Sequence, residues 1–206
     1  MTVPYSSTGR VKQKARTRDA LIAAARGLLA RGIVPTMEDA AAAAAISRTT
    51  AYRYFPNVRA LLVAAYPHAD QTSLLGPDAP EDAVARLRII AQSQTRRILK
   101  FEPEMRAVLR MSLETGSDGS PELPMHRGQR IDWIADALAP LRTRMDEEKL
   151  RRLVHGIGAT LGIEAFVWLT DIAGLSPEDA AADMRLNASR LLRAAIAESP
   201  EPGDAA

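Results

Sequence analysis

The sequence contains no cysteine, only three histidines among 206 residues, and 4% aromatic side chains. Without cysteine the chain can form neither disulfide bonds nor thiolate metal sites, which fits a reducing compartment. His68, His126 and His155 are far apart, and no paired-ligand spacing such as His-Glu-x-x-His is present. We therefore expect no metal and no cofactor.

Long apolar runs are missing as well. The longest, residues 40–46, is far below the ~20 residues that a membrane-spanning helix needs. The N-terminal residues include no apolar segment of the kind that a signal peptide carries. We expect no membrane partner and a cytoplasmic location.

Sequence patterns typical of catalysis are also absent. The glycine-containing stretch at 156–162 follows no predicted strand and lacks the lysine of a phosphate-binding loop, so its glycines are interpreted as helix-packing residues. This predicts that the chain is not an enzyme. A helical enzyme or small-molecule carrier with an accessory N-terminal domain is the alternative.

Charge is distributed unevenly along the chain. Residues 1–60 carry ten Lys/Arg against three Asp/Glu, a net charge of +7, whereas residues 61–206 carry 17 against 22, a net charge of −5. A basic N-terminal part on an acidic remainder favours a polyanionic partner. Five of the basic residues alternate between positions 10 and 18, either as an arm that contacts DNA phosphates and the minor groove or as a solvated charge run.

Residues 36–55 predict two short helices joined by a tight turn. Thr36 provides an N-cap hydroxyl, and Glu38 and Asp39 place carboxylates in the first turn of a helix that an alanine run continues. Ser47 can cap a second helix rich in hydrogen-bond donors. Two such helices form a helix-turn-helix, whose second helix enters the major groove of double-stranded DNA.

The second helix carries the side chains that we expect to read DNA. Positions 48 and 52, like 49 and 53, share one face, whereas Ala51 and Phe55 point inward. Arginines at 48 and 53 can each form two hydrogen bonds with guanine, and Thr49 can meet a thymine methyl. The tyrosines at 52 and 54 suit phosphate contacts, and Thr50 suits either role.

Residues 47–55, SRTTAYRYF, followed by Pro56, Asn57 and the apolar pair at 61–62, resemble the DNA-binding headpiece of the tetracycline-repressor (TetR) family. The resemblance covers about residues 10–66, and its most specific part is Thr-x-Tyr-x-Tyr-Phe at 50–55. It implies a dimeric transcriptional regulator, a repressor that leaves a palindromic operator when a small-molecule effector binds. A DNA-binding protein without an effector is a further alternative.

The chain departs from the family pattern at several positions. Ala45 stands in the turn where the family usually has glycine, and a left-handed residue with a Cβ costs on the order of 1 kcal/mol. Ala40 and Ala51 replace larger aliphatics, which predicts a thin core. Val58 replaces a lysine that contacts phosphate in relatives. Either this phosphate contact is absent here, or Arg59 makes it. The full set of expected DNA contacts is Thr36, Ser47, Arg48, Thr49, Thr50, Tyr52, Arg53, Tyr54, Arg59 and Lys14.

Apolar periodicity predicts an all-α fold of about nine helices. The resemblance implies that these helices form a three-helix helix-turn-helix headpiece and a C-terminal helical body for ligand binding and dimerisation. The later helices are expected at about 81–101, 125–145, 146–173 and 177–198. The expected division of the chain is a disordered arm at 1–9, a DNA-binding domain at 10–56, an effector-binding and dimerisation domain at 57–200, and a tail at 201–206.

The last two predicted helices have more apolar surface than one core needs. Positions 150, 154, 157, 161 and 165 form one stripe, and positions 153, 160, 163 and 167 form a second. Small residues at 156, 158, 159 and 162 would let a partner helix approach closely. We expect a homodimer through the helices at 147–173 and 177–198. A helix buried inside a monomer would show the same pattern.

The resemblance also provides candidates for an effector pocket, on helices that bound the pocket in relatives. Glu164 is unusual because it is a carboxylate within an apolar segment. It is exposed, pairs with an arginine, or lines a ligand cavity. Ordinary core packing is the alternative for the others. The candidates are Met105, Leu109, Trp133, His155, Glu164 and Trp168.

Overall fold

The computed structural model describes residues 5–65, 73–113 and 129–199, with side chains from residue 11 onward. These residues form ten α-helices and no strand, which confirms the all-α fold class. The helices are α1 (Tyr5–Leu29), α2 (Met37–Ala43), α3 (Arg48–Tyr54), α4 (Val58–Ala65), α5 (Ala83–Lys100), α6 (Glu102–Leu113), α7 (Gln129–Ala137), α8 (Glu147–Thr160), α9 (Ile163–Val167) and α10 (Pro177–Ala197). A 3₁₀-helix, Ala139–Thr143, follows α7, and a π-helical segment, Trp168–Ile172, follows α9.

The described residues divide into two compact units. The N-terminal unit comprises residues 5–65 and 106–113, and the C-terminal unit comprises residues 73–105 and 129–199. Helix α4 lies in the N-terminal unit, whereas the sequence places residues 57–66 in the body. The reason is that Leu61, Leu62 and Ala65 are buried in the same core as α1 to α3.

The core of the N-terminal unit is built largely from small side chains. Six of its twelve buried residues in the described part are alanine, among them Ala40 and Ala51. Helices with alanine at their contacts can approach closely, but each contact buries little apolar area. The thin core that the sequence predicts is therefore confirmed. One polar link supplements it, because Arg26 Nε donates to the Ala65 carbonyl oxygen at 2.9 Å and so satisfies the end of α4.

Side-chain caps begin several helices, and those of α2 and α3 are the predicted residues Thr36 and Ser47. Thr36 and Asp39 form a reciprocal capping box at α2, in which the Asp39 amide donates to Thr36 Oγ1 at 3.1 Å and the Thr36 amide donates to the Asp39 carboxylate at 2.9 Å. The Thr36 hydroxyl donates to the same carboxylate, and these bonds lower the pKa of Asp39. Oxygens of Ser47, Asn57 and Ser176 accept in the same way at α3, α4 and α10.

Positive φ values end two helices and shape one turn. Gly32, at φ 71°, follows α1, and Gly174, at φ 75°, follows the π-helical segment. Ala45 has φ 54° in the turn between α2 and α3. The left-handed alanine that the departure from the family pattern predicts is therefore present.

Ala45→Gly is expected to raise the free energy of unfolding by up to about 1 kcal/mol, because glycine removes the Cβ clash of the left-handed backbone and loses part of this gain to its flexible unfolded state. Ala44→Gly is the matched control. Ala44 has φ −86° and ψ −2°, where alanine is unstrained, so glycine should destabilise by about 0.5–1 kcal/mol. Urea unfolding of both variants measures the sign of the change in the free energy of unfolding. A loss of stability in both variants would contradict strain at Ala45.

The start of the first helix differs from the prediction. Helix α1 begins at Tyr5, so residues 5–9 are helical, whereas the sequence places them in a disordered arm. The four residues before Tyr5, the predicted loop at 115–124 and the tail at 201–206 lie outside the described residues. His68 and His126 lie outside them as well.

The single helix predicted over 146–173 is wrong, because the chain breaks at Leu161 and Gly162 before α9 and the π-helical segment. Gly162 is extended, with φ −102° and ψ 165°, and serves as the N-cap of α9. A Cβ at Gly162 would collide with the Glu164 carboxylate and the Arg130 guanidinium. The periodicity of the flanking apolar residues continues across the break, which explains why the sequence conceals it.

Buried aromatic side chains organise the C-terminal unit. Trp133 on α7 is 2% exposed and Phe166 on α9 is 0% exposed. The Arg97 guanidinium carbon lies 4.8 Å from the centroid of the Trp133 ring, a favourable cation–π distance.

In the described part of the chain no single helix is long and apolar enough to cross a membrane. The bent pair Glu147–Thr160 and Ile163–Ile172 meets that test by length and composition alone.

Candidate nucleic-acid interface

Helix α3 is anchored by one face and exposes the other. Ala51 is 0% exposed and Phe55, which caps the helix, is 4% exposed, so both point into the core as the spacing predicts. Arg48, Thr49 and Arg53 are exposed on the opposite side. The exposed face combines two cations with hydroxyl groups, which is the chemistry needed to contact base edges and phosphates.

Two of the predicted contact residues bond to each other at the start of α3. Ser47 Oγ accepts from the Thr50 amide at 3.3 Å and donates to Thr50 Oγ1 at 2.9 Å. These bonds fix the first turn of the helix and leave each hydroxyl oxygen with remaining acceptor capacity. The adjacent Thr49 is exposed.

Arg48 is held by two neighbouring side chains. Its Nε lies 2.7 Å from Glu38 Oε1 on α2, and its guanidinium carbon lies 5.6 Å from the centroid of the Tyr52 ring. The Arg48 side chain is still 68% exposed. A guanidinium that is oriented through Nε retains its terminal amino groups for other partners.

The remaining predicted contacts occupy different environments. Lys14 is exposed on α1, whereas Tyr54 is half-buried and packs against the core of the N-terminal unit. Arg59 is half-buried on α4 and has a partner within the chain. Thr36 is exposed, but its hydroxyl and amide are used by the capping box with Asp39.

The sequence pattern does not predict the contacts that two further side chains, Glu38 and Arg18, make with α3 and the residue that ends it. Glu38 was expected only as a first-turn carboxylate, because ten residues and a turn separate it from Arg48. Arg18 lies with its guanidinium carbon 5.5 Å from the centroid of the Phe55 ring, and so links α1 to the end of α3. Both contacts join separate helices, so only the tertiary structure shows them.

The effector-pocket candidates differ in burial and in the unit to which they belong. His155, Glu164 and Trp168 are exposed, the last at 55%. Trp133 and Met105 are buried core residues of the C-terminal unit. Leu109 is half-buried and belongs to the N-terminal unit.

Glu164 forms an ion pair with an arginine, which was one of the three possibilities for this residue. Arg130 donates from both terminal nitrogens to the two carboxylate oxygens, at 3.0 and 2.9 Å. Partial burial raises the pKa of Glu164, but the hydrogen bonds and charge of Arg130 outweigh it, so the pKa lies below its ordinary value. Glu164 therefore stays ionised at neutral pH as part of a bidentate pair.

The two apolar stripes of α8 differ in burial. Leu150, Val154 and Ile157 of the first stripe are buried in the chain's own core. In the second stripe Ile163 is buried, whereas Leu153, Thr160 and Val167 are half-buried. Among the described residues, no atom outside the local backbone of α8 lies within 4 Å of the position that a Cβ on Gly156 would occupy. A single chain therefore leaves the second stripe partly uncovered.

These features define a helix-turn-helix DNA-binding protein with a helical C-terminal unit. Residues 21–65 match the family model described as bacterial regulatory proteins, tetR family. Among curated proteins, none matches the chain. The matched segment contains all of α2, α3 and α4.

Two solved structures share the fold. A TetR transcriptional regulator from Rhodococcus sp. RHA1 is 24% identical, with a TM-score of 0.53, and the match covers 88% of this chain and 98% of the regulator. A tetR-family transcriptional regulator from Streptomyces coelicolor is 21% identical, with a TM-score of 0.58, and the match covers 92% of each chain. The family model matches residues of the N-terminal unit, and the two solved structures share the fold over most of the chain.

Proposed function

We propose that the protein is a homodimeric repressor that binds a palindromic operator and leaves it when a small-molecule effector binds. The observation that carries this proposal is the exposed face of α3, with Arg48, Thr49 and Arg53 on a helix anchored by Ala51 and Phe55. A rigid helix that projects cations and hydroxyls can read base edges in the major groove.

The charges around α3 support nucleic acid as the partner. The first 60 residues have a net charge of +7, and Lys14 and Arg16 are exposed on α1 of the same unit. Phosphate contacts from such residues provide affinity without sequence preference, whereas base contacts from Arg48 and Arg53 provide the preference. The test is selection of bound sequences from a random duplex library with the full chain. Enrichment of a palindromic motif supports the proposal, and recovery of random sequence contradicts it.

A dimer is supported by the uncovered stripe of α8. Leu153 and Thr160 are half-buried and flank the open position at Gly156, and Leu191 on α10 is 39% exposed. Pairing of α8 and α10 with a second copy would bury these residues in a four-helix bundle. Two-fold symmetry then presents α3 twice, as a palindrome requires.

Release by an effector requires that the ligand bind two conformations with different affinity. A coupling free energy of about 1–3 kcal/mol would weaken operator binding about 5- to 150-fold. An electrophoretic mobility titration with and without candidate effectors measures this factor directly.

Glu38→Gln is expected to reduce sequence discrimination more than operator affinity. Glu38 orients Arg48 through Nε at 2.7 Å and adds a negative charge beside the DNA-facing surface. Loss of that charge frees Arg48 for any phosphate, so binding to random DNA should strengthen about 3- to 10-fold, and the salt slope should steepen by about one counterion per chain. Affinities for the selected operator and for random duplex are measured at several salt concentrations. Their ratio is the sequence discrimination.

Asp19→Asn is the matched control for Glu38→Gln. Asp19 is an exposed carboxylate of the same unit, on α1, and its neutralisation changes the net charge equally. We expect a smaller and uniform effect on both DNAs. Equal discrimination by the two variants would show that Glu38 acts only through net charge.

A further inference from the structure

An open groove lies between α5 and α10 in the C-terminal unit. Its volume is about 490 Å³, within the range of small-molecule sites. Leu87, Ala91 and Leu192 are buried and provide an apolar floor. None of the six effector-pocket candidates expected from the sequence lines this groove.

Three arginines line the same groove: Arg88 on α5, and Arg185 and Arg193 on α10. Arg185 donates to the Thr95 hydroxyl at 3.1 Å, which fixes its position. Within the described part of the chain, no ion pair joins any of these arginines to a carboxylate. This concentration of positive charge stands out because residues 61–206 have a net charge of −5.

One carboxylate lines the groove beside these arginines. Asp82 is the N-cap of α5, and its Oδ2 accepts from the Ala85 amide at 2.7 Å. Its charge therefore serves the start of the helix, where the helix dipole favours it. With three guanidinium groups against this carboxylate, the lining has a net positive charge.

We propose that the groove binds a small organic anion with an apolar body, and that this anion is the effector. Guanidinium groups match carboxylate and phosphate oxygens in pairs of hydrogen bonds, and the apolar floor suits a hydrocarbon part. The claim that the groove binds an anion rests on its lining residues alone. The claim that this anion is the effector rests on the function proposed above.

The groove and the proposed dimer surface lie on different sides of α10. Positions 185, 189 and 193 are four residues apart and share the side that faces the groove. Leu191 of the proposed dimer surface, and the exposed Asn187 four residues before it, are offset from these positions by two residues, or about 160° around a helix of 3.6 residues per turn. A second copy that packs on Asn187 and Leu191 therefore leaves the groove open to a ligand.

Calorimetric titration of the full chain with octanoate, octyl phosphate and benzoate tests the binding. Octylamine and octanol serve as probes with similar apolar bodies but without the negative charge. We expect at least one of the three anions to bind, while the amine and the alcohol do not. Preference for octanoate or for octyl phosphate distinguishes a carboxylate from a phosphate ligand. No binding by any anion, or equal binding by octylamine or octanol, would overturn the proposal.

Arg88→Gln and Arg193→Gln, separately and together, test whether the arginines hold the anion. Each should weaken anion binding about 3- to 10-fold, because both side chains are partly screened by solvent. Arg190→Gln is the control, since Arg190 is exposed on α10 but does not line the groove. Unchanged affinity in the double variant would place the anion elsewhere and refute the assignment.

The effect on DNA separates this inference from the proposed function. If an anion binds the groove and weakens operator binding in the unaltered chain but not in the double arginine variant, the effector assignment is supported. If the anion binds through the arginines while operator affinity stays the same, the groove is not the effector site. If no DNA sequence is selected at all, the proposed function fails, and the calorimetric result still decides whether the groove binds anions.

Discussion

Gly156→Gln should separate the proposed dimer into single chains and weaken operator binding about 10²- to 10⁴-fold, because two linked binding events become one. Gly156 lies on α8 beside Leu153 and Thr160, the partly uncovered stripe. In the part of one chain that the structure describes, no atom beyond the local helix backbone lies within 4 Å of a Cβ at this position. A close helix-to-helix contact with a second copy would have no room for the longer side chain.

The fold of a single chain should tolerate this substitution. Glutamine has a higher helix propensity than glycine by roughly 0.5–1 kcal/mol, so the helix itself should gain stability. Gly27→Gln is the matched control, because Gly27 is exposed on α1 and the described residues also place no atom beyond the local helix backbone within 4 Å of its Cβ position. Light scattering after size-exclusion chromatography should give the mass of one 22.3 kDa chain for Gly156→Gln and of two chains for Gly27→Gln. A dimeric Gly156→Gln protein would exclude close packing at this position.

Arg48→Ala and Arg53→Ala are each expected to weaken operator binding by about 1–3 kcal/mol for each half-site and to relax the preference for one base pair. Both side chains are exposed on α3, and Arg48 is oriented by Glu38 and Tyr52. Affinities for the operator and for operators with single substituted base pairs measure the loss and its position.

Two controls separate base reading from general electrostatics. Arg31→Ala removes an exposed arginine just beyond the end of α1 and should change operator affinity little. Lys14→Ala removes an exposed cation of α1 and should weaken all DNA sequences alike, with a shallower salt dependence. If Arg48→Ala and Arg53→Ala behaved like Lys14→Ala, α3 would contact only the DNA backbone.

Local signals explain what the sequence could predict. The caps at Thr36 and Ser47 are formed by side chains within three residues of their acceptors or donors, so short spacing reveals them. The inward positions of Ala51 and Phe55 follow from helical periodicity alone. The left-handed turn at Ala45 was predicted because the TetR resemblance fixed where a turn must lie.

Contacts between distant segments explain what the sequence could not predict. At the break, Gly162 lies against the pair between Arg130 and Glu164, which are separated by 34 residues. Periodic apolar residues continue through the break, so the pattern indicates one helix where the structure has several elements. The ion pair between Glu38 and Arg48, and the arginines that line the groove between α5 and α10, likewise depend on how the helices pack.

Methylation interference on the selected operator tests most directly whether two copies of α3 read the major groove. Methyl groups at guanine N7 project into that groove, where Arg48 and Arg53 are proposed to bind. We predict that methylation blocks binding at guanines in two symmetric clusters whose centres lie about 10–10.5 base pairs apart, or a multiple of that spacing. Binding that no guanine methylation affects, or interference confined to a single cluster, would contradict a dimer that reads DNA through α3.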